Sequence, residues 1–90
     1  MNNMKNKPSL KKIIENEFNV LFNEHVKGLN APSLSGDTIL LETGLDSLGF
    51  ALLVVRLENT LGFDPFVLSS EAFYPKTFGE FVSFYEQHQP

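Results

Sequence analysis

The chain contains no cysteine and no tryptophan. Without a thiol there is no disulfide, no thiolate metal site and no sulfur nucleophile of the protein's own. Positive charge is scarce after residue 30: residues 31–90 hold one Arg and one Lys against eight acids, whereas residues 1–30 hold five Lys against three Glu. A chain of net charge −4 with so acidic a larger part would be repelled by nucleic acid, so that class of partner is excluded. The same charge suits partners with basic docking surfaces, and it equally suits a small domain that only has to stay in solution. No apolar run approaches the roughly 18 residues of a membrane-spanning helix. The N-terminal residues 1–7 are polar and lack the apolar core of a secretory signal, so a cytoplasmic location is the default expectation. No carboxylate and histidine cluster stands at ligand spacing, so no metal site is expected.

What is present is a 90-residue chain, 42% apolar with nine Phe, which is enough for one domain with a limited core. Residues 1–8 read as a flexible tail ending at Pro8, and residues 9–90 as the domain. Ser9 is placed to cap a first helix in which Leu10, Ile13, Ile14, Phe18, Leu21, Phe22 and Val26 recur at helical spacing. That helix is expected to end at Gly28, with His25 as an ordinary helix-end residue. From Gly28 to Asp46 breaker residues dominate, and Leu34, Ile39, Leu40, Leu41 and Leu45 read as pins that hold a long loop to the core. A short helical turn is expected near residues 37–41, holding Gly44 to Ser47 in place, with Gly44 supplying a conformation that other residues resist.

A second helix begins at Asp46-Ser47 and runs to Thr60 or Leu61, with Gly62 as its stop. Phe50, Leu53, Val54, Leu57 and Leu61 form its core face. Leu48, Ala51, Leu52 and Val55 are also apolar, so the helix is apolar nearly all round and a small bundle cannot bury it completely. Asp46 is an N-cap type and Ser47 the first helical residue. Its hydroxyl there lies near unpaired backbone N–H groups and the positive end of the helix dipole, where a phosphate on its oxygen is favoured. Asp64-Pro65 read as a turn, residues 69–73 as a short third helix stopped by Pro75, and Thr77-Phe78-Gly79-Glu80 as the capping box of a last helix reaching Gln87.

The residues Gly44-Leu45-Asp46-Ser47-Leu48, opening an apolar helix midway along a helical chain of this length, resemble the attachment motif of the acyl carrier proteins. The likeness runs from about Leu10 to Tyr85. It implies an all-α, four-helix acyl-carrier-like bundle with a long loop between helices one and two and a short third helix. It implies that a phosphopantetheinyl transferase moves 4'-phosphopantetheine from coenzyme A onto Ser47 through a phosphodiester. Asp46 would cap the helix and help the transferase dock, and Leu48 would make an apolar contact beside the arm. A thioester carrier without cysteine takes its sulfur from that arm. The protein would not be an enzyme: an acyl- or aminoacyl-activating ligase loads it, and a downstream synthase or acyltransferase unloads it.

In this family the outer face of helix two docks the partners, which points to Leu48, Ala51, Leu52, Val55, Arg56 and Glu58. Leu52 and Arg56 depart from the acidic pattern common in fatty-acid-synthesis carriers. That departure favours a stand-alone, monomeric carrier for a specialised lipid, polyketide or related pathway, with an aminoacyl or peptidyl carrier as the alternative. Two other classes compete. A serine hydrolase would need Gly-x-Ser-x-Gly. Gly49 fits its second glycine but Leu45 replaces the first, and only His25 and His88 are available as bases. A helical adaptor would use Asp46-Ser47 as a plain N-cap pair.

Overall fold

The computed structural model describes residues 8–26, 28–70 and 74–90. Among these residues the chain forms four α-helices and no strand: α1 (Leu10–His25), α2 (Ser47–Leu61), α3 (Pro65–Leu68) and α4 (Phe78–Gln87), with a 3-10 turn at Leu40–Glu42 inside the long loop. The all-α bundle, its long first loop and its short third helix are as the sequence predicts.

Ser9 opens α1, its Oγ accepting the N–H of Lys12 at 3.1 Å. The face predicted from spacing turns inward: Ile14, Phe18, Leu21 and Phe22 are buried, and Leu10 and Val26 pack against them. The helix ends before the expected Gly28. Val26 is extended (φ −105, ψ 106) and its side chain stays with the core, so the chain leaves the helix there to keep that contact. Leu53 and Leu57 of α2 and Phe78, Phe81, Val82 and Tyr85 of α4 close the same core from two other sides. Burying these large apolar side chains is the main favourable contribution to so small a fold.

Two of the five loop leucine and isoleucine pins hold and two do not. Leu40 and Leu45 are buried and Leu34 packs partly, but Ile39 and Leu41 are exposed. Much of the anchoring is done by backbone. Leu40 N–H donates to Lys76 O at 3.0 Å, Phe78 N–H to Thr38 O at 2.8 Å and Gly79 N–H to Gly36 O at 3.0 Å, forming an isolated bridge between Ile39 and Thr77. The loop is therefore tied to the start of α4, whose capping box pairs Thr77 and Glu80.

The third helix lies earlier than predicted. Asp64 does more than turn: its carboxylate accepts the N–H of Phe66 at 2.8 Å, and Pro65, buried, supplies the fixed φ suited to a first helical residue. Ser69 is already extended and ends the helix, so Ser69 and Ser70 are not helical. Residues 71–73 of the expected helix lie outside the described residues, as do residues 1–7 of the expected tail. Phe66 meets Phe50, Phe81, Phe84 and Tyr85 at ring-centroid distances of 4.9–6.4 Å, which fastens α3 to α2 and α4. Tyr85 is fully buried and its hydroxyl has no hydrogen-bond partner among the described residues. Burial first, then the charges of Asp64 and Glu58, push its ionisation well above the ordinary range.

Candidate functional site

The site is the junction of the long loop with α2. Thr43 shapes the approach: its hydroxyl donates to Leu40 O at 2.6 Å and accepts the N–H of Leu45 at 3.3 Å. Gly44 follows at φ +112, and a side chain there would also press on Phe22. Leu45 is buried, so the chain is pinned one residue before the cap.

Asp46 then caps α2, its Oδ1 accepting the N–H of Gly49 at 2.8 Å while its carbonyl accepts the N–H of Phe50 at 2.9 Å. The carboxyl group is held below its ordinary ionisation range, chiefly by the Gly49 N–H and then by His25. Ser47 is the first helical residue and is exposed. At that position the amides of Ser47 and Leu48 have no intrahelical acceptor, and the dipole's positive end lies beside the hydroxyl. A phosphodiester on Ser47 Oγ would meet open solvent, unpaired N–H groups and favourable field. The position fits such a group.

His25, set aside in the sequence as a helix-end residue, proves to belong here. Its Nε2 lies 3.3 Å from Asp46 Oδ1, twenty-one residues away. Gly49, considered only as half of a hydrolase motif, is buried beneath it. A Cβ there would lie 2.5 Å from Leu45 Cδ1 and 3.2 Å from His25 Cδ2. The contacts of His25 with Asp46 and Gly49 have no local sequence signal, because they depend on the end of α1 meeting the start of α2. Neither histidine is hydrogen-bonded to the Ser47 hydroxyl among the described residues: His25 faces Asp46, and His88 sits on Phe84 O at 3.0 Å at the end of α4. Among the described residues neither histidine is therefore paired with Ser47 as a base for a serine nucleophile.

Downstream on α2, Leu48, Leu52 and Val55 are 60%, 38% and 53% exposed, and Ala51 and Glu58 are exposed as well. Arg56 is differently placed. Its Nε donates to Glu17 at 3.0 Å and its Nη1 to Glu24 at 3.5 Å, so its guanidinium clasps α1, with Thr60 adding a bond to Glu17 at 3.1 Å. On the side of α2 toward α3, a cavity of about 390 Å³ is lined by Leu40, Leu41, Phe50, Ala51, Val54, Phe66, Tyr74 and Pro75. Phe50 and Ala51 stand three and four residues after Ser47, so the cavity begins one helical turn from the serine.

The sequence model of a family described as "Phosphopantetheine attachment site" matches residues 24–74, just over half of the chain. The chain belongs to this phosphopantetheine-attachment family. The matched segment of this carrier domain starts in the last turn of α1 and includes the loop, α2 and α3, and so takes in His25, Asp46, Ser47 and the exposed residues of α2. 4'-Phosphopantetheine is the group that such a domain holds covalently. Compared with curated proteins and with solved structures, the carrier domain shows no significant match to either. No helix among its described residues is long and apolar enough to cross a membrane.

Proposed function

We propose that Ser47 is the attachment point and that the protein works as a stand-alone acyl carrier, shuttling acyl intermediates between separate enzymes. The observation that carries this reading is the placement of an exposed serine at the first position of α2, directly after its Asp46 cap, inside the matched segment. Loading forms a bond from Ser47 Oγ to phosphorus and breaks the diphosphate of coenzyme A. The nucleotide half leaves with the second phosphate, and the serine proton passes to a base on the transferase. The attached arm supplies a thiol that holds cargo as a thioester. The chain's own residues supply position: Asp46 fixes the helix start, Gly44 and Leu45 fix the approach, and Leu48 gives an apolar wall beside the serine. Catalysis belongs to the partners.

Acyl cargo is favoured over aminoacyl cargo by the cavity beside the site, whose lining carries no charged side chain among the described residues. A lipid, polyketide or related intermediate suits it. The exposed Leu48, Ala51, Leu52 and Val55, with Glu58 at the edge, are the surface for the transferase, an acyl-activating ligase and a downstream synthase or acyltransferase, while Arg56 is engaged by α1. The setting consistent with such partners is the cytoplasm.

The test is the intact mass of the protein after incubation with coenzyme A, magnesium and a broad-specificity phosphopantetheinyl transferase. Native protein is expected to gain one phosphopantetheine and Ser47→Ala none. A folded native chain that gains nothing while a control carrier is modified in parallel removes the reading and leaves the helical adaptor.

A further inference from the structure

We propose that His25 is a positioning residue for the loading of Ser47: it holds one oxygen of Asp46 against the first turn of α2 and so sets how the other oxygen and the serine hydroxyl meet the transferase. The inference rests on the reading of Ser47 as the attachment point. Three observations carry it. Asp46 Oδ1 is engaged twice, by the Gly49 N–H at 2.8 Å and by His25 Nε2 at 3.3 Å, whereas Oδ2 has no protein partner among the described residues. The pair is asymmetric in exposure, the His25 side chain at 25% and Asp46 at 67%, so the anchored imidazole steadies an outward carboxylate. Finally, the ring edge packs over Gly49, the one residue in the first turn without a side chain to block it.

The contact is an ion pair when the imidazole is protonated and a neutral hydrogen bond when it is not. Its strength therefore depends on whether the imidazole carries a proton. Among the described residues few other charges stand near it in the chain or on the elements packed against it. Residues 47–55 of α2 carry no ionisable side chain, the loop brings Asp46 and the exposed Glu42, and α1 brings Glu24, which pairs with Arg56 at 3.5 Å.

The experiment measures steady-state loading of native protein, His25→Ala and His25→Gln by the same transferase, from about pH 5.5 to about pH 8.5, spanning the histidine range. For His25→Ala, KM is expected to rise about two- to fivefold with kcat little changed, the size of effect of a partly exposed ion pair. The ratio of native to Ala kcat/KM, in which the enzyme's own pH dependence cancels, is expected to grow as pH falls. His25→Gln keeps a donor without a charge. It should hold most of the rate at high pH and lose ground to the native protein at low pH.

Circular dichroism checks folding, and if His25→Ala does not fold, the slope of the native-to-Gln ratio decides. As a second readout, the Asp46 carboxyl carbon, followed by NMR, should titrate higher in His25→Gln than in the native chain. Ratios flat in pH, or an unchanged KM in folded His25→Ala, overturn the role of His25 while leaving Ser47 as the loaded residue. Failure of the native chain to load beside a working control overturns both readings, and the two failures are therefore distinct.

Discussion

On propensity alone, alanine at position 49 would strengthen α2 by about 1 kcal/mol. The surroundings reverse that sign. The added Cβ would sit 2.5 Å from Leu45 Cδ1, and Leu45 is buried and cannot swing into solvent. Relief requires moving either the leucine that pins the loop or the first turn of the helix, and overpacking of this kind costs about 1–3 kcal/mol. Gly49→Ala is therefore expected to destabilise the protein by up to about 2 kcal/mol net, read as a lower urea midpoint with an unchanged slope. A higher midpoint would mean that the close packing of Leu45 and His25 on this glycine is not maintained in solution. Ser47 itself needs no such surroundings: its exposure and its place after Asp46 suffice to present the hydroxyl.

Among the elements, α4 has the most complete N-terminus. Thr77 Oγ1 accepts the N–H of Glu80 at 3.0 Å, and the Glu80 carboxylate accepts the N–H groups of Lys76 at 2.8 Å and Thr77 at 3.3 Å. These two bonds, the Lys76 one first, hold the Glu80 carboxyl below its ordinary value of 4.5. Because the folded value is depressed, the stabilising contribution is present above the unfolded value and is lost as pH falls through the folded one. Glu80→Gln, which keeps an acceptor but not the charge, is expected to lower Tm at neutral pH. Its acid limb should also be shallower, so that the two melting curves converge as the native carboxylate protonates. A constant gap between them down to strongly acidic pH would remove Glu80 from the acid response. In α2 two loyalties meet on one element. Leu53 and Leu57 belong to the core, Leu48 and Val55 to solvent, and Arg56 is withdrawn to Glu17 and Glu24, which ties α2 to α1 with the modest strength of a half-exposed pair.

For the molecule as a whole, the arrangement of the loop, α2, α3 and residues 74–75 leaves an apolar space beside the site. Cargo that enters it contributes hydrophobic burial at about 0.8 kcal/mol per methylene, less the cost of ordering the chain. Protein loaded with a medium-length saturated acyl chain is therefore expected to melt about 5 °C or more above acetyl-loaded protein. Val54→Trp, which fills the space, should abolish the difference. Equal melting of both loaded forms of the native chain would show that the cargo stays outside. The place of Ser47 as the first residue of α2, its Asp46 cap, the stop of that helix, the capping box of α4 and the apolar faces of α1 and α4 were all legible in the sequence. Each is set by residues within a turn or two of one another, where helical periodicity, cap chemistry and glycine conformation act without reference to the rest of the chain. The early end of α1, the displacement of α3 to Asp64 and the buried Pro65 and the exposure of Ile39 and Leu41 were not legible, nor were the clasp of Arg56 and the seat of His25 on Asp46. Those outcomes were decided by the tertiary structure, because they turn on which surfaces the packing brings together and which it leaves to water, and local spacing carries no record of either.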